Sequence, residues 1–295
     1  MKKIIYFANH SNIGSDNSEK HIRYALEKLG HKVFCIDENN YTKQEVVEAS
    51  KDAQLFLFHK AGISDGMKFM RFVEILGSIV CPKVCWYWDK VWGDREAVVE
   101  NLLPYIDKLF LSDETWMRRH NYENVSVLRQ GIGTEDNSPG IFKKELETEI
   151  AFVGQLYGDR ADFLEKLTAR YGDKVRVFGN IFNRDLYDLM ASTKIVVAPD
   201  SPSDDFYWSS RIYMILGSGG FLLHPKCDGL KKELKDKKHY VSYSSFDDLC
   251  EQIDYYLENN KKRVSIQKAG FDYVVKNLNY ETRCQTMLEI LNSGK

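Results

Sequence analysis

The sequence predicts an α/β protein built from two consecutive doubly wound, Rossmann-like domains, and three observations carry that prediction. Short β-branched or aromatic runs alternate with amphipathic helical segments almost throughout. The alternation breaks once, in a stretch rich in Gly, Pro, Asn, Asp and charge. The 295 residues exceed the ~100–150 that one compact domain usually holds. Alternation of this kind implies right-handed βαβ units and parallel sheets covered on both faces.

The strand-like runs of the first half are KIIYFA (3–8), KVFCI (32–36), QLFLFH (54–59), KVCWYW (83–88), KLFLS (108–112) and VSVL (125–128). Between them, segments such as EKHIRYALEKLG (19–30) place apolar residues at helical spacing before a glycine stop. The stretch GIGTEDNSPGIFKKELET (131–148) reads as a linker. The rhythm then restarts with EIAFVG (149–154), VRVFGN (175–180), KIVVAPD (194–200), GFLLHP (220–225) and HYVSYS (239–244). From FDDLCEQIDYYLENN (246–260) onward the chain reads as helical, closing with YETRCQTMLEILNSG (280–294). The domains expected are 1–135 and 136–275, with 276–295 as a terminal helix.

Composition excludes several classes. Charge is nearly balanced, 41 Lys+Arg against 43 Asp+Glu, and the pI is near 6.4. A whole-protein electrostatic grip on nucleic acid usually needs a basic face, so it is disfavoured. The opening MKKIIYFANHSNIGS has too short an apolar core for a signal peptide and reads as a first buried strand. No run approaches the ~18–20 apolar residues of a membrane span. The six cysteines are scattered, and only Cys81 and Cys85 are close, which predicts free buried thiols in a reducing cytoplasm.

In open parallel sheets, ligands sit beyond the carboxyl ends of the strands, and clefts between domains favour ligands. The loops after the strands are therefore where chemistry is expected. FVGQLYGDRADFLEKL ends a strand at Gly154 and Gln155, turns, and puts Arg160 in the first turn of a helix that Asp159 or Asp162 could cap. An arginine at a positive helix end is unfavourable unless an anion joins it. DDFYWSSRIYMILGSG repeats the situation with Ser209 or Ser210 as N-cap and Arg211 beside them, which suits a phosphate. In VRVFGN, Gly179 and Asn180 form a backbone able to approach a flat base. After the first strand, FANHSNIGSDN carries Gly14 and Ser15 but is neither G-x-G-x-x-G nor a P-loop, which argues against a dehydrogenase or a nucleoside triphosphatase. His59 closes another strand, and KVCWYWDKVWGDR sets Trp88 and Asp89 at a strand end. There an aromatic ring can stack on a sugar and a carboxylate can bind hydroxyls or act as base. No metal-ligand spacing appears.

Taken together, the pieces resemble the GT-B glycosyltransferases, and most closely the CgeB-like, spore-maturation-type branch. They run in order: LRQGIG (128–133), IAFVGQLYGDR, VRVFGN, LYDLMASTKIVVAPD, WSSRIYMILGSGGFLL, HYVSYSSFDDLCEQIDYYLEN and the closing YETRCQTML helix. The resemblance implies two domains facing a cleft, a nucleotide-diphosphate sugar held mainly by the second, and an acceptor on the first. It implies metal-free chemistry with no cofactor other than the donor substrate, and a C-terminal helix, 276–295, that crosses back to the first domain. By position, Gly154, Gln155 and Arg160 would face the diphosphate, Gly179 and Asn180 the base, and Ser209, Ser210, Arg211 and Tyr213 the phosphates and their surroundings. Related retaining transferases carry two glutamates eight positions apart; here Phe206, beside Asp205, and Met214 stand in those places. The histidine–aspartate pair of many relatives reads Trp88–Asp89. The expected protein is a cytoplasmic, metal-independent hexosyl- or pentosyltransferase. Arg211 and Arg160 stabilise its leaving group, and Asp89 serves as acceptor base or hydroxyl ligand. Its partners are the nucleotide sugar and a hydroxyl-bearing glycan, small molecule or protein, with nucleic acid ranked last. The alternatives are a catalytically idle sugar-nucleotide-binding protein and a GT-B-fold nucleotide-sugar epimerase.

Overall fold

The computed structural model describes residues 1–11, 17–59, 66–135, 138–200 and 204–293. The chain forms two compact units, Met1–Gln130 with Tyr280–Lys295, and Gly131–Asn279. The boundaries thus fall at 130/131 and 279/280, where the sequence placed them at 135/136 and 275/276. The physical reason is backbone pairing: Ile132 N–H donates to Leu278 O at 3.0 Å, and Ile132 bridges Asn279. Gly131 lies so close to this segment that a Cβ there would meet the carbonyl carbon of Asn279 at 2.8 Å.

The first unit holds β1 (Lys3–Ala8), β2 (Lys32–Asp37), β3 (Leu55–Phe58), β4 (Lys83–Tyr87), β5 (Lys108–Leu111) and β6 (Val125–Val127). They form one parallel sheet in the order β2-β1-β3-β4-β5-β6. Its helices are α1 (Ser18–Lys28), α2 (Lys43–Ser50), α3 (Gly66–Leu76), α4 (Asp94–Leu102), α5 (Glu114–Arg119) and, from the far end of the chain, α11 (Tyr280–Ser293). Strand residues alternate between two cores, as the period of two requires. Ile5, Phe7, Phe56, Phe58, Cys85 and Leu109 face one core with residues of α3 and α4. Ile4, Tyr6, Leu55, Leu57, Val84 and Trp86 face the other, covered by Ile22 and Leu26 of α1 and by Cys284, Met287 and Leu288 of α11. Asn17 caps α1 by accepting from Lys20 N–H at 2.9 Å.

The second unit holds β7 (Thr148–Val153), β8 (Val175–Phe178), β9 (Thr193–Val197), β10 (Leu222–Pro225) and β11 (Val241–Tyr243), all parallel, in the order β11-β10-β9-β7-β8. Its helices are α6 (Arg160–Tyr171), α7 (Asn183–Ser192), α8 (Arg211–Gly217), α9 (Phe246–Glu258) and α10 (Asn260–Asn277). Here too there are two cores, one with α7, α8 and α10 and one with α6 and α9. Strand order reverses between β7 and β9, and the loops at their carboxyl ends define the switch point where ligands of such sheets sit.

Two expectations change. The segment 131–148 is not a free linker: Ser138 Oγ donates to Gly217 O at 2.6 Å, Ile141 N–H to Asp188 Oδ1 at 2.7 Å and Lys143 N–H to Ser192 Oγ at 2.8 Å, and Ile132 is buried in the core. Backbone N–H groups and the Ser138 hydroxyl dock it. Of the free cysteines, five are buried, but Cys35 is exposed because β2 is an edge strand. Among the described residues no helix is long and apolar enough to cross a membrane.

Candidate functional site

The second unit's switch point is organised around two arginines. β7 ends at Val153 and runs into Gly154, whose φ of +145° only glycine holds easily. A Cβ on Gly154 would also lie 2.7 Å from Arg211 Nη1. Arg211 Nη1 donates to Val153 O at 3.0 Å and Nη2 to Pro199 O at 3.3 Å, so one guanidinium spans the ends of β7 and β9. Arg160 Nε donates to the same Pro199 carbonyl at 3.3 Å and Nη1 to Gln155 O at 3.2 Å. Both guanidiniums lie over Phe152, at 5.3 and 5.9 Å from its centroid, and Arg160 also lies over Tyr157 at 4.2 Å.

Asp200 is the carboxylate beside them. Its Oδ1 stands 3.9 Å from Arg211 Nη2 and accepts from Ser209 N–H at 3.4 Å. Its Oδ2 is 2.9 Å from His224 Nε2, while His224 Nδ1 is 2.7 Å from Pro225 O. Burial alone would raise the Asp200 carboxyl, but His224 and then Arg211 outweigh it and hold it below its ordinary value. Arg211 is pushed down from its ordinary value, first by burial and next by the like charge of Arg160, with Asp200 partly offsetting both. Two fixed cations anchored mainly on neutral carbonyls make an electropositive floor suited to an anion.

Around this floor the structure gathers most of the residues the sequence singled out in this half. Gln155 Nε2 donates to Gly179 O at 2.8 Å and to Asn180 Oδ1 at 3.2 Å, tying the loops after β7 and β8 together. Ser209 Oγ accepts from Arg211 N–H at 3.3 Å. Ser210 is the N-cap residue of α8 by position, yet its hydroxyl makes no cap bond, and neither does Asp159 at the start of α6. Of the two serines expected at the start of α8, Ser209 is the one whose hydroxyl reaches a first-turn N–H, that of Arg211, while Ser210 and Asp159 have helical φ/ψ, which aims their side chains away from the N–H groups a cap would serve. Tyr213 is not part of the group. It is 1% exposed, its hydroxyl accepts from Trp208 Nε1 at 2.9 Å and donates to Glu233, and its ring packs in the core. Met214 packs against the same core.

In the first unit, His59 closes β3 at the β1/β3 switch point and is buried. Its Nδ1 is 2.8 Å from Trp86 O, so Nδ1 carries the proton and Nε2 accepts from the Tyr6 hydroxyl. Trp88 lies against it with ring centroids 3.8 Å apart, and the Trp88 indole N–H is buried with no partner among the described residues. Asp89 pairs with Arg95 at 3.4 Å. Gly14 and Ser15 lie outside the described residues. Asp200 and His224 are what sequence reasoning missed. The signal available was a polar residue closing each of two apolar runs, VVAPD and FLLHP. Among the described residues no group of three or more His, Cys, Asp or Glu side chains is placed to hold a metal ion.

Residues 144–289 match the family described as glycosyl transferase-like. No curated protein matches the sequence. Several solved structures share the fold. HepE of Anabaena, solved in complex with UDP and glucose, is 13% identical over 99% of this chain and 100% of that chain, with a TM-score of 0.65. Sucrose-phosphate synthase of Thermosynechococcus elongatus is 12% identical over 99% of each chain, with a TM-score of 0.68. A glycosyltransferase of Rickettsia africae is 11% identical over 98% of this chain and 97% of that chain, with a TM-score of 0.67. The two-domain α/β fold is thus the one shared by these solved GT-B structures, and part of the chain matches a glycosyl transferase-like family. More particularly, the glycosyl transferase-like match takes in nearly all of the second unit, arginine floor included, and most of α11.

Proposed function

We propose that the protein is a metal-independent glycosyltransferase that moves a sugar from a nucleotide-diphosphate sugar to a hydroxyl acceptor. The observation that carries this reading is the pair Arg160 and Arg211, both fixed to strand-end carbonyls at the switch point while their neighbouring carboxylate is already engaged by His224. The diphosphate lies against the two guanidiniums with the Ser209 and Ser210 hydroxyls beside it. Gly154 admits it close to the backbone, and Gly179 and Asn180 border the base. The acceptor hydroxyl attacks the anomeric carbon, the glycosidic bond to phosphate breaks, and the nucleoside diphosphate leaves with its electron pair. The arginines offset charge that grows on the departing diphosphate, so they act more strongly in the transition state than on bound donor. Asp89 takes the acceptor's proton or binds its hydroxyls, and Trp88 offers a ring and an indole N–H to the acceptor. Within the class, the ordered pieces from LRQGIG to YETRCQTML favour the spore-maturation-type branch. Uridine is the base to test first, because neighbours of this fold were solved with UDP and UDP-glucose.

The test is a thermal-shift series with UDP, GDP, ADP, CMP and TDP, followed by assays of sugar transfer and donor hydrolysis with and without EDTA. One nucleotide is expected to stabilise the protein by a few kcal/mol at saturation, and EDTA to leave the rate unchanged. Arg211→Ala is expected to lower turnover ~10²-fold or more. Turnover within a few-fold of wild type would rule out the phosphate role, and a lack of shift with every nucleotide would sink the donor site as a whole. Arg211→Lys, which keeps the charge but loses the two-carbonyl span, separates charge from anchoring.

A further inference from the structure

Three histidines stand at the carboxyl ends of strands: His10 after β1, His59 after β3 and His224 in β10. Both ring nitrogens of His59 and of His224 have hydrogen-bond partners. His10 differs. Its Nε2 is 3.1 Å from Tyr6 O, and a carbonyl can only accept, so Nε2 carries a proton. Nδ1 has no partner among the described residues, and the residue is partly exposed.

The place of this ring is fixed from two sides. The His10 N–H donates to Asp37 Oδ2 at 2.9 Å, at the end of β2, and the same carboxylate accepts from Ser11 Oγ at 2.8 Å and from Asn39 N–H at 2.7 Å. The imidazole also meets the Tyr6 ring edge-on, with centroids 5.2 Å apart. Burial lowers its pKa from the ordinary 6.5 and Arg23 of α1 acts the same way, while the Tyr6 carbonyl and Asp37 oppose them. At pH 7 the ring is therefore neutral, and Nδ1 keeps its lone pair. The result is a proton acceptor held in one place beside the β1/β3 switch point, where ligands of such sheets sit.

We propose that His10 is the catalytic base that takes the acceptor's proton, a role that rests on the transferase reading above. The acceptor oxygen attacks the anomeric carbon, and Nδ1 receives the hydroxyl proton. The bond from that carbon to the diphosphate oxygen breaks, and the nucleoside diphosphate leaves with its electron pair. The imidazolium then returns the proton to water. Asp37, close enough to act on the ring electrostatically, favours the imidazolium as it forms. Asp89, paired with Arg95, is left to bind a hydroxyl.

The experiment follows glucose transfer from UDP-glucose to maltose across pH and reads the UDP thermal shift in the same proteins. His10→Gln keeps an N–H for the Tyr6 carbonyl but has no basic nitrogen, so a merely structural role would survive it. It is expected to lower kcat ~10²-fold or more and to leave the UDP shift unchanged. In wild type kcat/KM is expected to fall in acid through a group titrating below 6.5, and in His10→Gln that acidic limb disappears. Asp89→Asn is expected to raise the KM for maltose and to keep the limb. A measurement independent of turnover is modification by diethyl pyrocarbonate at about pH 6, mapped by peptide mass spectrometry, in which His10 should react ahead of His59 and His224. The role of His10 is overturned if His10→Gln keeps turnover within a few-fold, if the acidic limb survives in it, or if His10 reacts no faster than the other two. Loss of the UDP shift in His10→Gln would mark a folding or donor-site effect and equally overturn it. No UDP shift in wild type would sink the donor reading itself, and with it the reaction in which His10 acts.

Discussion

At the scale of single residues, Asp200 shows how the floor is held in place. One carboxylate faces Arg211, the Ser209 N–H and His224, so its charge serves three groups at once. Its pKa lies below the ordinary 3.8, so its stabilising effect is complete above that value and is lost as pH falls below it toward the lowered folded value. Asp200→Asn is therefore expected to cost about 3 kcal/mol at pH 7, as breaking a buried ion pair does. Urea melts across pH should show the gap to wild type narrowing from about pH 4 downward; a gap that stays constant into acid would contradict the role. Arg160 and Arg211 were legible in the sequence because a cation at the start of a helix is locally anomalous. Asp200 and His224 were not, since one polar residue after a strand is ordinary and their pairing links positions 24 residues apart.

Among the elements of the described residues, all eleven strands lie where β-branched and aromatic runs predicted them, within two residues at each end except β9, which stops at Val197 where the run extended to Asp200. Some helix starts carry a side-chain cap that the sequence reading did not single out. Thr42 accepts from Glu45 N–H at 3.1 Å, and Glu45 reaches back to the Thr42 N–H at 3.4 Å, a reciprocal cap on α2. Thr42→Ala is expected to cost about 1 kcal/mol, read as a lower urea midpoint with an unchanged slope. At α8 two serines stood as candidates: Ser210 has a helical backbone and its hydroxyl does not turn back, while Ser209 accepts from the Arg211 N–H at 3.3 Å. Tyr213 misled differently. It is helical neighbour to Arg211, but a helix turns about 100° per residue, and two steps carry Tyr213 to the buried side. The segment 131–148 has a linker's composition, and only long-range partners such as Asp188 and Gly217 reveal that it is packed down.

At the scale of the whole molecule, the last helix completes the first unit. α11 covers the face formed by Ile4, Tyr6 and Trp86 and lies along α1, with Tyr280 OH bonded to Ser18 Oγ at 2.6 Å and the Tyr280 ring parallel to His21. Ending the chain at Asn279 uncovers a core that Tyr280, Cys284, Met287 and Leu288 fill. At roughly 1.5–3 kcal/mol per large buried side chain, the first unit should lose about 5 kcal/mol. Hydrogen exchange should then show β1 and β3 deprotected while β7 and β9 keep their protection; equal loss in both units would refute the assignment of α11 to the first.

Local sequence by itself determined the alternation of strands and helices, the parallel sheets and the anomalous arginines, because each is set by side-chain periodicity, burial and helix-end electrostatics within a few residues. Tertiary structure alone decided which carbonyls anchor those arginines, that Asp200 and His224 stand behind them, and that Gly154 clears space for Arg211 Nη1. The reason is the same in each case. These are contacts between segments far apart in the chain, and their energy appears only when the sheets bring them together.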